Sequence, residues 1–497
     1  MSKRDSEDLK KERVQDRLRR LLSPHQRPKV SPVVLFKIFA VFVIPVTAGI
    51  MLLFFDPALV FFTTIALYAS LWFFFNPFLA LILYMFLLVA RPQEGVALLE
   101  AIHVERLCAI LAMLGWGLQV AVERRIRPFS RGIALWFVAF LIVCFLSILT
   151  SIWKLAAFNA WFELVKFGVL AFLITQLVNT PKRLFICLVV FGLGHVWMAA
   201  ESLRLYYSEG YSYVRMGIVR ATTGSMSRGD PNALAASLIL SICFALYTIG
   251  SYRNLIWRFL WCLVIGAGSV VVVLSGSRAA MLASLFLLFY VWLTSKKKVA
   301  LGILLCALIA AGWFAVPSQY QERFLTTFDL EKNPSAGESA KGRITGLRVG
   351  IQMFIDRPIL GVGIGNFSVG HATVYSPEQS RSWLQAHNLF AELAGETGIL
   401  GLITFAGFII ACMRQAARLS SFLSSVATPE AKAIKALSRA LLASFWLLLF
   451  FGLFAHNTMR YNWYLNAGLV SACITMAAAM VNRTAETQTR RGFVDSG

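Results

Sequence analysis

The stretch Ala386 to Gly401, AHNLFAELAGETGILG, sets a histidine, an asparagine and two glutamates at the mouth of a long apolar run. Histidine titrates near neutrality, so His387 is suited to take a proton from an attacking hydroxyl; the plain alternative is a hydrogen-bonded interfacial side chain. A helix beginning near His387 stacks Asn388, Glu392 and Glu396 at i, i+4 and i+8, and gathers Ala391, Ala394, Gly395, Gly398 and Gly401 into a small-residue stripe where another helix can approach closely. Arginines offer the complementary chemistry. Arg228 precedes GDPNALAASL, in which Asp230 suits an N-cap and Pro231 a first helical position. Capping accounts for those two residues but not for Arg228. Arg278 follows a Ser-Gly-Ser corner and opens an apolar helix, where its guanidinium could grip a phosphate with two parallel hydrogen bonds or simply snorkel to headgroups. Arg343 and Arg348 lie in RITGLRVGIQMFIDRPILG, as further anion ligands or as the solvated face of a helix. GVGIGNF (361–367) fits neither phosphate-loop pattern and reads as a glycine-permitted turn that lets the chain fold back.

The elements that must position these residues follow from composition. Of 497 residues 58% are hydrophobic and 14% charged, with a mean hydropathy of +0.69, which excludes a soluble globular domain. Long apolar runs recur without the alternation of an outer-membrane barrel, so the fold class is an all-α polytopic membrane protein with about fourteen transmembrane helices, from 34–55 to 464–481. The net charge of +22 concentrates in the short loops 123–131, 180–183, 251–258 and 295–298 and in the segment 413–439. Positive-inside bias places all of these in the cytoplasm, so the charge sets topology and does not signal nucleic acid. The resulting organisation is a cytoplasmic tail 1–32, helices 1–11 over 33–316, a long extracytoplasmic loop 317–386, helices 12–14 over 387–481, and a cytoplasmic tail 482–497. The N-terminal stretch has neither the apolar core nor the small-residue cleavage site of a secretory signal. The 317–386 loop is too long for a simple connection. Within it Ile344, Leu347, Ile351 and Phe354 recur at helical spacing and Asp356-Arg357-Pro358 ends the run, which predicts an amphipathic helix lying on the bilayer or on the bundle. Each candidate residue then faces the outside. The eight cysteines sit in or at the ends of apolar runs and form no readable disulfide or metal pattern.

His387-Asn388, nine residues, then Gly398-Ile399-Leu400-Gly401 resembles the signature of the O-antigen ligase and polymerase superfamily of bacterial envelope glycan enzymes. GDPNALAASL (229–238), SGSRAAMLAS (275–284) and GRITGLRVGIQMFIDRPILGVGIGNF (342–367) resemble its other conserved stretches, in the same order. LWFFFNPF and VARPQEGVALLEAIHVERL look like N-terminal regions of exopolysaccharide-type members, which favours a polymerase over a ligase. The resemblance implies a GT-C-like fold in the bacterial inner membrane and inverting transfer of a glycan from undecaprenyl pyrophosphate, a polyprenyl carrier, to a hydroxyl of a glycan or lipid-linked acceptor. It implies no metal and no cofactor, and a chain-length regulator as a partner such chains can take. In those terms His387 is the acceptor-side base, Glu392 or Glu396 orients its imidazole or pairs with arginines, and Arg228, Arg278, Arg343 and Arg348 hold the pyrophosphate. The alternatives are an O-oligosaccharyltransferase acting on protein, and a transporter or flippase of a lipid-linked or amphipathic substrate, which would carry inverted repeats and broken helices at the midplane.

Overall fold

A computed structural model describes residues 43–95, 97–208, 213–215, 218–223, 229–325, 334–375, 383–426 and 428–495. The chain divides into two compact units, Met1–Trp72 and Phe73–Gly497. In the first, the described part is a helix at 43–51 (α1) and most of α2 (Pro57–Phe75), where Asp56 caps the amides of Ala58 and Leu59 at 2.8 and 3.2 Å.

The second unit contains α3 (Pro77–Ala90), α4 (Val104–Glu123), α5 (Arg131–Leu146), α6 (Lys154–Leu177), α7 (Pro181–Tyr207), α8 (Pro231–Thr248), α9 (Leu255–Leu274), α10 (Arg278–Thr294) and α11 (Lys298–Ala315). It continues through the short α12 (Ser318–Leu325) to α13 (Pro334–Asp356), α14 (Leu389–Phe422), α15 (Pro429–Gly452) and α16 (Tyr461–Asp495). Local chemistry fixes several starts: Thr180, Asp230 and Thr428 each cap a helix whose first residue is proline. Among the described residues ten helices are long and apolar enough to cross a membrane, and Pro77–Ala90, Arg131–Leu146 and Arg278–Thr294 are shorter apolar helices. The protein is an all-α polytopic membrane protein. These helices coincide with the expected spans from 57–75 onward; the first expected span, 34–55, has its residues 34–42 outside the described ones.

Tight approach and interhelical polar contacts hold such a bundle, because lipid tails are as apolar as the helix faces. α14 packs on α5, α13 and α15, α16 on α6, and α8 on α9 and α15. Fully buried Phe140, Phe408, Trp463 and Tyr464 fill the α5–α14–α16 junction, with Phe405 and Trp463 edge to face at 5.5 Å. Asn466 donates to Ser444 Oγ at 2.8 Å and the Ser130 amide to Ser471 Oγ at 3.0 Å.

One feature was not expected from the sequence, and another resolves an alternative it left open. A two-stranded antiparallel hairpin, Tyr213–Arg215 with Ile218–Arg220, lies in the loop before α8; its strands are too short for a period of two to show. The amphipathic helix α13 exists, but its buried face is Gly346, Val349, Gly350 and Met353. The predicted apolar stripe is outward: Ile344, Leu347 and Ile351 are 61%, 44% and 50% exposed. Small residues make the packing face, since a Cβ on Gly346 would stand 2.6 Å from the Ala386 carbonyl oxygen and one on Gly350 2.8 Å from that of Ala391. The bulky stripe is left exposed.

Candidate functional site

Asn388 begins α14 by accepting the amides of Phe390 and Ala391 at 2.9 and 3.0 Å, while its Nδ2 donates to the Leu453 carbonyl at 3.3 Å. Just before it, His387 is half-buried with φ 48°, a left-handed conformation that non-glycine residues adopt mainly where surrounding structure holds them. Ten residues on, α14 breaks at Gly398 (φ 63°, ψ −161°). The Ile399 amide turns to the Pro358 carbonyl at 2.8 Å, and the carbonyls of Gly395 and Glu396 accept from Val362 and Gly363 instead, each at 2.9 Å. The break thus seats the segment 358–367 against the first part of α14, and a Cβ on Gly398 would collide with the Ile359 carbonyl carbon at 2.4 Å.

Both glutamates are buried, and each anchors a loop. Glu396 accepts the Gly365 amide at 2.8 Å and the Phe367 amide at 2.9 Å. GVGIGNF, with glycines 361, 363 and 365 all at positive φ, therefore forms an anion-binding nest already filled by the protein's own carboxylate. Glu392 accepts from the Thr458 hydroxyl at 2.8 Å and its amide at 3.3 Å. The loop bearing Thr458 is fixed further by Trp463 Nε1 and Tyr464 OH, donating to the carbonyls of Asn457 and Thr458, each at 3.0 Å. That loop brings His456 to His387, ring centroids 5.6 Å apart and edge to face, and carries Arg460. The His456 ring is open to the cavity but hemmed in by protein on its other sides. This desolvation, with Arg460 and a protonated His387 adding to it and Asp230 opposing, pushes it down to about 4.

These groups line one cavity of about 720 Å³. Around the 275–278 corner it gathers four guanidiniums. Arg220 donates to the Ser275 carbonyl at 2.6 Å and Asn232 Oδ1 at 3.1 Å, and Arg323 to the Gly276 carbonyl at 2.7 Å. Tyr320 braces both by donating its hydroxyl to the Val219 carbonyl at 2.8 Å. Arg278 and Arg343 also line the cavity and make no salt bridge among the described residues. Burial and the neighbouring Arg278 charge hold Arg343 below the ordinary arginine range. Arg91 and Arg460 complete the set, Arg91 paired with Glu94 at 2.8 Å and Arg460 lowered by burial against the pull of Asp230. A desolvated pocket with this cationic surplus suits a multiply charged anion such as a pyrophosphate.

Of the residues singled out in the sequence, the cavity brings together His387, Glu392, Glu396, Arg278 and Arg343. Arg348 is exposed and does not line it, and Arg228 lies outside the described residues. Sequence reasoning missed Arg91, Arg220, Arg323, Arg460 and His456. Alternation of the expected spans puts all five on the side opposite the basic loops, so a tally of cations and imidazoles on that side would have found them. Among the described residues no group of three or more His, Cys, Asp or Glu is placed to hold a metal ion.

Residues 261–406 match the family model described as O-antigen ligase. That segment contains Arg278, Arg323, Arg343, His387 and both glutamates; the second histidine and the remaining cavity arginines fall outside it. No curated protein is matched by the chain.

Proposed function

The chain belongs, through residues 261–406, to the O-antigen ligase and polymerase superfamily, and from that premise we propose that it transfers a glycan from polyprenyl pyrophosphate to a hydroxyl of a second glycan or lipid-linked acceptor. The observation that carries the reading is a cavity in which a histidine pair meets Arg278 and Arg343, which make no salt bridge among the described residues.

In the reaction, the acceptor hydroxyl gives its proton to His387 as its oxygen bonds to the sugar C1. The bond from C1 to the phosphate oxygen breaks, and the lipid pyrophosphate leaves with the electron pair. Attack opposite the leaving group inverts C1. Negative charge develops on the bridging oxygen, and Arg278 and Arg343, with Arg220 and Arg323 beside them, stabilise it without reorganising. Fixed guanidiniums supply what a divalent cation would otherwise do, so the proposed reaction uses no metal. His456, held neutral beside it, keeps the pair from becoming doubly charged. Glu392 and Glu396 act as positioning residues: one holds the loop of His456, the other the turn after α13, the helix that carries Arg343. The basic-loop bias supports an outward-facing cavity, which the donor reaches from the outer leaflet.

The deciding experiment is deletion of the protein in its host, followed by separate analysis of lipid-linked and surface polysaccharide. Single repeat units left on an acceptor identify a polymerase, long chains left on the polyprenyl carrier a ligase. Unchanged polysaccharides in both pools would overturn the reading.

A further inference from the structure

A second polar cavity, of about 280 Å³, lies at the other end of the bundle. Arg183 stacks over the Phe78 ring at 4.9 Å, near the start of α3, whereas Arg91 at the end of the same helix lines the first cavity. Thirteen helical residues separate those ends by roughly 20 Å. The second cavity is walled by Gln119 and Glu123 of α4, by Arg125 and Arg127 of the loop after it, and by Asn179 and Arg183. These loops are among those whose basic charge assigns them to the cytoplasmic side.

Part of this arrangement is plain capping. Arg127 donates through Nη1 to the Gln176 carbonyl, and Gln176 returns both its amide groups to the Arg127 backbone, at 3.0 and 2.8 Å. Arg183 Nη1 donates to the Leu177 carbonyl at 3.0 Å and Asn179 Oδ1 at 3.3 Å. Capping uses one terminal nitrogen of each fork. Among the described residues the other guanidinium nitrogens of Arg127 and Arg183 make no hydrogen bond, Arg125 makes none through its side chain, and Glu123, the only carboxylate in the lining, forms no salt bridge with any of them. Partial desolvation lowers Arg127 from the ordinary arginine range, and the nearby Glu123 charge opposes it. The Glu123 charge acts on both Arg127 and Arg183 without forming an ion pair, so the two forks keep free donors for an anion while their positive charge is only partly offset. Basic clefts between helices at the cytoplasmic interface suit the phosphate of a lipid headgroup, and forked guanidiniums suit its oxygens.

We propose that this cleft is a phosphate-binding site separate from the glycan cavity, with Arg127 and Arg183 as its fork donors and Gln119 and Arg125 at its rim. The phosphate is borne either by an anionic phospholipid or by a soluble ion.

The test uses the full-length protein purified in detergent and in nanodiscs of phosphatidylcholine with or without phosphatidylglycerol. Native mass spectrometry reads retained lipid, and calorimetric titration reads inorganic phosphate. Gln119→Glu introduces a negative charge without removing a hydrogen bond, and Asn179→Asp keeps the acceptor for Arg183 while building in a counterion. Phosphatidylglycerol retained by the wild type and reduced roughly tenfold in both variants supports a lipid ligand. Inorganic phosphate binding that falls by the same factor, with no lipid retained, supports a soluble one. Equal retention of both anions by wild type and variants, or a loss produced by Arg278→Gln instead, overturns the proposal. Glycan transfer by Gln119→Glu continues in either supporting case, which separates this site from the proposed reaction.

Discussion

His387 concentrates the residue-scale expectations. His387→Ala leaves the chain inserted and abolishes glycan transfer, read as loss of chain extension or attachment when the variant complements the deletion strain; substantial remaining transfer would remove the base role. Arg278→Lys keeps the charge and loses the fork, so transfer falls by roughly ten- to a hundredfold while protein levels hold. An unaffected rate would mean that Arg278 only snorkels. His456 gives a pH signature. Held at about 4 in the fold against an ordinary 6.5, it refuses a proton that the unfolded chain accepts between those values. Stability is therefore full above about pH 6.5, declines as the pH falls below it, and the decline levels off near 4. Thermal unfolding of detergent-solubilised protein across that window checks this, and His456→Gln must flatten the slope. Legibility at this scale followed signature strength: His387 announced itself by its spacing to a glycine pair, whereas His456 sits in AHNTMRYNW, where nothing local reveals that Glu392, 64 positions earlier, holds its loop by Thr458. The glutamates were visible as a helical stack, but their partners are backbone amides of distant loops, and no side-chain pattern encodes those.

At the scale of elements, the site depends on one interrupted helix. The small-residue stripe of α14 was readable, as was its meaning of close approach: helix α13 packs on it at Ala391 and Gly395, and only at Gly398 is the approaching element a backbone turn. Gly398 was read as a packing residue and turns out to be a break. The distinction lies in φ and ψ, which a residue type permits but does not dictate. Its conformation belongs to a region that only glycine occupies readily, so Gly398→Ala costs about 1–3 kcal/mol from the backbone alone, before the clash with Ile359. Because the 358–367 segment hangs on the freed carbonyls, the variant should lose thermal stability and glycan transfer together. Retained stability with full transfer would show that the break is incidental. The packing face of α13 has a similar origin: hydrophobic periodicity located the helix and left bilayer and bundle open as its support, while close approach of helices selects the glycine side for packing.

For the whole molecule, apolar run length marked each helix from 57–75 to the last but not always its ends, since crossing a bilayer demands about twenty apolar residues and says nothing of the polar turns that extend a helix such as α15 (Pro429–Gly452) beyond them. What the sequence could not show was which outer loops meet, because cavity arginines from residues 91 to 460 are joined only by packing. The charge bias further predicts a sidedness that unites both cavities: glycan site outside, phosphate cleft inside. Exposed Trp383 lies on the segment leading to His387, and Ser295 opens the loop of three lysines between α10 and α11. In a variant freed of its own cysteines, Trp383→Cys should react with a membrane-impermeant maleimide in intact spheroplasts, and Ser295→Cys only after lysis. The opposite pattern would put the histidine pair on the cytoplasmic side, where a donor presented at the outer leaflet could not reach it, and the proposed transfer would fall with the topology.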